Sequence, residues 1–524
     1  MTIMLVILIG LFLLAFWDLI VGVSNDAVNF TNSAVGSRIT SRKVIVTVAG
    51  FGIIAGTLFS SGMMEVARKG IFNPGMFILP EVLYIFLAVM FADVLLLDVY
   101  NTYGLPTSTT VSLIFELLGA AVGLSFIKVI RSGGDFSDVT AYINSDKVMA
   151  IILGIFLSVL VAFTCGVIFQ FITRLFFTFR YKRYLKRFGA GAASLSMLVL
   201  IYFIFIKGLA GSGIFSDSFI QWVLTFRWII TVVIFLILFF IFHLLLVFTR
   251  MNIAKFIILA GTFALALAFS ANDLVNFVGV AMAGLEAFRI ASQGVQPMLM
   301  SMEGLAEPVH SEIYLLVIAG MIMAVTLWVS KKARRVTKTE VNLARQLALN
   351  EKFGTTIVSR SVVQMTVGSF AFLGKAVPRS ARDLIAGRIN PSEFRPEKSK
   401  GGKTAAFDPI RAGVNLVVAA ALIALGTSYK LPLSTTYVTF MVAMGTSLAD
   451  KAWGHESAVH RVNGVLTVIG GWLFTALIAF VLAFIFVNII QLTQLVGIIL
   501  LAVLTVYVFV KTNGIFRRIE TNNE

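Results

Sequence analysis

Apolar residues run through this chain in long blocks, broken only by short polar stretches. Charge-poor segments lie near 3–22, 44–61, 81–97, 148–173, 189–206, 228–249, 256–285, 313–330 and 411–428. At about 1.5 Å per helical residue, segments of this length suit a hydrocarbon layer roughly 30 Å thick. Val462 to Val510 contains no Asp, Glu, Lys or Arg at all, and it is long enough to cross twice, so the chain must turn back within it. The pattern predicts an all-α polytopic membrane protein with about ten to thirteen crossings. Met1 to Ile20 lacks a basic leader region and runs directly into polar residues that recur later, so it reads as the first span rather than a cleaved signal.

The polar interruptions repeat. Ser24-Asn25-Asp26-Ala27-Val28-Asn29-Phe30 returns as Ala271-Asn272-Asp273-Leu274-Val275-Asn276-Phe277, with five identities in seven positions. Leu105-Pro106-Thr107-Ser108-Thr109-Thr110 returns as Leu431-Pro432-Leu433-Ser434-Thr435-Thr436, with five identities in six and in the same order after the first motif. Asp26 and Ser108 are 82 residues apart and Asp273 and Ser434 are 161 apart; the excess of 79 matches the 78-residue polar stretch 331–408. The expected organisation is a first transmembrane repeat at 1–187, connecting helices at 188–255, a second repeat at 256–330 and 409–512, and an inserted loop at 331–408.

Composition and charge sharpen this picture. The chain is 58% hydrophobic and 13% charged, far from the quarter charged of soluble domains, and its mean hydropathy is +0.94. The net charge of +16 is scattered along segment flanks. That distribution argues against a nucleic-acid partner and for topology signals that hold loops on the cytoplasmic side of the plasma (inner) membrane. Arg174 to Arg187, then Arg250 with Lys255, then Lys331 to Arg335 all agree on one side. The loop 331–408 carries 16 Lys or Arg against 6 Asp or Glu and is expected to be cytoplasmic, a solvated connector that hugs anionic lipid headgroups, helical over Glu340 to Lys352 and flexible over Pro391 to Thr404. Arg38, Arg42 and Lys43 place the end of the first motif-bearing segment inside, whereas Arg250 and Lys255 place the start of the second inside. The two copies therefore run in opposite directions, an inverted-topology repeat with broken or hairpin helices. The sole cysteine, Cys165, reads as a packing residue.

Acids at membrane depth are costly unless they meet a cation or water. Asp26 and Asp273, with Asn29 and Asn276, supply hard oxygen ligands suited to Na⁺, supplemented by carbonyls of an unwound helix; Asn25, Asn272 and Glu116 are further candidates. The Pro-x-Ser-Thr-Thr segments read as helix N-termini with the proline in the first turn. Such an end offers unpaired N–H groups and a positive dipole that favour an anion, with Ser108, Thr109, Thr110, Ser434, Thr435 and Thr436 completing a donor cage. An anion beside two carboxylates requires intervening positive charge. Symport of anion with Na⁺, or with H⁺ in its place, follows. Asp93 and Asp98 read as structural groups, His243 as a packing histidine, and Gly119 with Gly123 as a close-packing pair.

These paired motifs resemble the inorganic phosphate transporter family, over both membrane halves but outside 331–408. The resemblance implies inverted repeats, a phosphate held between two hairpin tips, and coupling to Na⁺ or H⁺ by alternating access. Two departures stand out: Val23-Ser24 and Ser270-Ala271 precede Asn-Asp where relatives carry Gly-Ala, and Val111 and Tyr437 stand where a His commonly follows. A sulfate symporter of the same architecture, an anion channel and a nutrient sensor are the competing readings. The sequence holds no nucleotide loop, metal-spaced His or Cys set, or activated nucleophile, so neither an enzyme nor a bound cofactor is expected. A homo-oligomer is compatible with it.

Overall fold

The computed structural model describes residues 1–206, 216–307, 312–346, 360–361, 378–395, 404–452 and 457–521. Among these, structure is helical throughout apart from two isolated bridges, Phe72 with Ile143 and Ile78 with Ser301. Among the described residues ten helices are long and apolar enough to cross a membrane, and two further helix pairs, bent by 64° and 72°, raise the number to twelve if each pair is one span. The turn demanded inside the uncharged Val462–Val510 stretch falls at Gln494, whose φ of 50° separates Ser457–Thr493 from Leu495–Thr521.

The centre is built from α1 (Thr2–Ser37) and α3 (Leu79–Tyr103). Almost all of α3 is buried from Leu79 to Asp98, which explains why its sequence shows no amphipathic stripe. Between them, α2 (Arg42–Thr57) leads into short turns, and α4 (Thr109–Ser132) returns from α3 through a tip at 104–108. Then come α5 (Ser145–Phe177), α6 (Tyr181–Ile201), α7 (Asp217–Thr225) and α8 (Arg227–Phe248). Only Phe242 of α8 is buried, while Trp228, Ile229, Phe240 and Phe248 are exposed. This apolar surface is one that lipid would satisfy.

The second half follows with α9 (Ile253–Leu274), a π-turn at Val275–Gly279, and α10 (Val280–Ser292), together forming one 40-residue span. α11 (Ile313–Val329) bends by 72° into α12 (Lys331–Leu343), as α2 bends by 64° into Ser61–Gly70. After α13 (Arg379–Arg388), α14 (Pro409–Ser428) and α15 (Thr435–Ala449) make the second hairpin. α16 (Ser457–Thr493) and α17 (Leu495–Thr521) close the chain.

Glycine sets the hairpin packing. A Cβ on Gly119 of α4 would overlap the carbonyl of Phe480 on α16, and one on Gly445 of α15 would overlap the carbonyl of Phe163 on α5. Both glycines stand eleven residues after their tip serine. Backbones meet here without side chains between them, as small residues allow in membranes. Gly123 lies against Val487 and Asn488, so the expected close-packing pair is present.

Three expectations are corrected. Asp26 lies inside an uninterrupted α-helix, and Asp273 precedes a single π-turn, so neither motif sits on an unwound segment. The start of the inserted loop is not a solvated connector: α12 packs along α1, and Ala333, Val336 and Glu340 are buried. Arg174 is no flanking topology signal either, since it is fully buried between Asp408 and Asp450. Of the predicted helix Glu340–Lys352, only the part to Leu343 is seen as helix, and 347–359 and 396–403 lie outside the described residues.

Candidate functional site

The two tips meet beside the two aspartates. Ser108 caps α4 by accepting from Val111 N (3.2 Å), and Ser434 caps α15 by accepting from Tyr437 N (3.2 Å). Each N-cap leaves the amides of the first turn without an intrahelical acceptor and ends the helix on its positive pole. Pro106 and Pro432 stand two residues before the caps, outside the helices rather than in their first turns. Their fixed φ shapes the approach to the tip.

Four threonines face the acids in a crossed pattern. Thr109 Oγ1 donates to Asp26 Oδ2 (2.8 Å) and Thr436 Oγ1 donates to Asp26 Oδ1 (3.4 Å). Thr110 Oγ1 donates to Asp273 Oδ1 (3.2 Å), and Thr435 Oγ1 donates to Asp273 Oδ2. Each aspartate thus receives one hydroxyl from its own half and one from the other. The asparagines reach the opposite tip: Asn29 Nδ2 donates to Thr435 and Thr436 Oγ1 (3.2 and 3.1 Å) as well as to its own Asp26 Oδ1 (3.5 Å), and Asn276 Nδ2 donates to Thr109 and Thr110 Oγ1 (3.1 and 3.0 Å). The tips touch directly, since Thr110 Oγ1 reaches Leu433 O (3.3 Å) and Thr436 Oγ1 reaches Thr107 O (3.0 Å). All of these side chains are at most 2% exposed.

Asn25 and Asn272 hold the tips rather than joining this ring alone. Asn25 Nδ2 donates to Leu105 O (3.1 Å) and its Oδ1 accepts from Thr107 N (3.0 Å). Asn272 Nδ2 donates to Leu433 O (2.8 Å) and also to Asp273 Oδ1 (2.7 Å). Each is anchored in turn, Asn25 by Asn101 Oδ1 (2.9 Å) and Asn272 by Thr427 Oγ1 (3.2 Å). Sequence reasoning missed Asn101 and Thr427. A signal was present, since both stand seven residues before the tip serine.

Electrostatically, two buried carboxylates sit close enough to repel, with hydroxyls and two helix N-termini around them and no ion pair to either among the described residues. Two half-positive helix ends partly offset the charge. Among the described residues no three His, Cys, Asp or Glu side chains gather in metal-binding geometry. A cation here would rest on one carboxylate with Thr and Asn oxygens, a set suited to Na⁺. Asn276 Oδ1, buried without a hydrogen-bond partner, is one such free acceptor.

Glu116 is not brought to this ring. Its Oε1 accepts from Ser112 (2.8 Å), while Oε2 has no donor. It adjoins Asp18 and Asp93, whose carboxyls face one another, all three at most 1% exposed. Asp18 was not singled out from the sequence because it sits in the apolar first span without a repeated partner. Asp98 is structural, bonded to Lys332 Nζ (2.7 Å) and Thr512. His243 stacks on Phe239, and Cys165 packs half-buried at the edge of the core.

Comparison with known proteins agrees with this architecture. A protein of Pyrococcus abyssi named "putative phosphate permease" is 35% identical over 130 residues, 24% of this chain and 32% of the relative. A like-named protein of Pyrococcus horikoshii is 31% identical over 151 residues, 28% of this chain and 33% of the relative. The chain thus matches about a third of the length of these relatives. A solved structure, "The sodium-dependent phosphate transporter", superposes with a TM-score of 0.63 over 94% of this chain and 100% of the other at 18% identity, a likeness of fold. Residues 22–342 match the phosphate transporter family, and the chain, a multi-pass all-α membrane protein, belongs to that family.

Proposed function

We propose that this chain is a secondary transporter that carries inorganic phosphate together with Na⁺ across the plasma membrane by alternating access, with 1–187 and 256–330 plus 409–512 as inverted repeats. The observation that carries this reading is the crossed ring, in which each aspartate takes a threonine from both tips. Phosphate would lie between the tips, bound by the first-turn amides and the hydroxyls of Ser108, Thr109, Thr110, Ser434, Thr435 and Thr436. Na⁺ would lie on Asp26 with Asn29 and on Asp273 with Asn276.

The charge argument gives the coupling. Phosphate brought beside two carboxylates in a water-poor interior meets repulsion of several kcal/mol, and a cation bound between them reverses its sign. Because the threonines already donate to the carboxylates, a bound cation would free those hydroxyls to turn toward the anion. Substrate and cation thereby assemble one site, and neither half of the protein completes it alone. Loop 331–408 and the basic flanks lie on the cytoplasmic face in this scheme.

Uptake of labelled phosphate into proteoliposomes tests it. An inward Na⁺ gradient is expected to drive accumulation above equilibrium, unlabelled sulfate is expected to compete poorly, and a pH gradient alone is expected to be ineffective. Flux that equilibrates but never accumulates would replace the symporter with a channel.

A further inference from the structure

A cavity of about 320 Å³ opens along α1 close to the core site. Among the described residues its charged lining is Arg38, Arg42, Arg334, Lys338 and Arg345, with no acid. None of the five makes an ion pair among the described residues. They converge from separate elements: Arg38 follows α1, Arg42 opens α2, Arg334 and Lys338 lie on α12, and Arg345 follows it. Arg42 feels the charge of Arg334, and Arg345 that of Arg38. Arg345 Nε is moreover a buried donor without an acceptor.

Basic residues at a membrane edge commonly point outward, one by one, toward headgroups. Five lining one cavity, Arg42 and Arg345 part-buried and Arg38, Arg334 and Lys338 exposed, is a different arrangement. Like charges gathered around one cavity repel one another, and the orphaned buried Nε–H of Arg345 adds to the cost. A multivalent oxyanion would remove both, with guanidinium forks matched to its oxygens.

Position connects this cavity to the ring. Ala27, next to Asp26, and Thr31 also line it, and five residues of α1 from Asp26 to Thr31 rise only about 7.5 Å. The opposite wall is α12, which is tied to α1 along its length. Ser330 Oγ meets Ser24 Oγ (2.8 Å), Thr337 Oγ1 meets Thr31 Oγ1 (3.4 Å), and Glu340 accepts from Asn32. The only acid on α12 is therefore turned away into its bond with Asn32, so the charged groups lining the cavity among the described residues are all cations.

We propose that this cavity is a second site for the phosphate oxyanion, on the basic-loop side of the core site, where phosphate is held on its way between the ring and the aqueous face. The proposal rests on the reading of the ring as a phosphate site. A lipid headgroup shares the same chemistry and is separated from free phosphate by the test below.

Equilibrium binding of labelled inorganic phosphate to the purified full-length protein, in nanodiscs of phosphatidylcholine at low ionic strength with Na⁺ present, is expected to show two phosphates per chain. Arg42→Gln with Arg345→Gln should leave one, the other weakening at least tenfold. Thr109→Ala with Thr435→Ala should remove the complementary one. The exposed Lys338→Gln should weaken the same site several-fold and guards against misfolding of the double variant. Two phosphates retained in both the Arg42/Arg345 and Lys338 variants would overturn the cavity site while leaving the ring intact. Two retained in the threonine variant would overturn the ring reading instead. Loss of the second phosphate when phosphatidylglycerol replaces part of the lipid would assign the cavity to a headgroup and overturn its assignment to free phosphate.

Discussion

The two hairpins match at their tips and differ at a distance from them. At the tips, Thr109, Thr110 and Asn29 have counterparts in Thr435, Thr436 and Asn276, and every cross-bond to an aspartate has its partner with the halves exchanged. Two turns further along, the first hairpin region gathers Asp18, Asp93 and Glu116; at the same offsets from the motifs the second carries Leu265, Ala419 and Val442. The feet differ as well. Lys128 and Glu81 at the first foot form a part-exposed pair at 2.8 Å. At the second foot Arg174 lies fully buried, bonded to Asp408 and Asp450, each at 2.7 Å. Gln170 Nε2 donates to Asp450 Oδ1 (2.7 Å), and Arg411 Nη1 donates to Gln346 Oε1 (2.7 Å). The crossed bonds tie both tips to both aspartates and so constrain them alike, whereas each foot answers only to its own neighbours.

The comparison is open to attack at several points. The largest effect is expected at the acids: Asp26→Asn and Asp273→Asn should each lower Na⁺-driven phosphate uptake about 100-fold, equivalent to losing one charge-assisted contact of roughly 3 kcal/mol. If one variant transports normally in proteoliposomes, the two halves do not share the work. Next, Arg174→Ala should cost about 3–5 kcal/mol, because buried Asp408 loses its cation and buried Asp450 keeps only the longer pair to Arg411, at 3.8 Å. A midpoint of unfolding in detergent unchanged from wild type would contradict the burial argument.

Gly119→Val and Gly445→Val should each destabilise by about 1–3 kcal/mol, since either side chain forces a backbone apart. Unequal shifts in the same unfolding measurement would break the equivalence of the two packing seams. Thr109→Ala and Thr435→Ala should raise the phosphate concentration for half-maximal uptake about tenfold each, for one lost hydrogen bond near 1.4 kcal/mol. The smallest effect belongs to Lys128→Ala, at most about 1 kcal/mol for a part-exposed pair. A loss as large as that of Arg174→Ala would erase the contrast between the feet.

Much of this was legible in the order of residues. Hydropathy alone forces helices, because a chain in hydrocarbon must satisfy its own backbone, and the absence of charge from Val462 to Val510 required the break found at Gln494. The repeated Asn-Asp and Ser-Thr-Thr segments marked the side chains that now meet, since polar groups at membrane depth persist only where they find partners. What the sequence could not carry was the pairing. Thr436 donates to Asp26 across 410 positions, and no local pattern specifies which half supplies which hydroxyl.

Burial also reversed meanings. Arg174 reads as one more flanking cation until α5, α14 and α15 close around it. The first helix of a basic loop reads as solvated until α12 is seen tied to α1 through Ser330, Thr337 and Glu340. Asp18 carries no repeat to flag it, and only packing sets it against Asp93. Composition and periodicity determined the solvent, the helices and the candidate chemistry, because these follow from each residue's own preference for water or lipid. Tertiary structure alone decided which charges are shared, which are sealed, and which five gather around one cavity, because those are properties of distances between residues far apart in the chain.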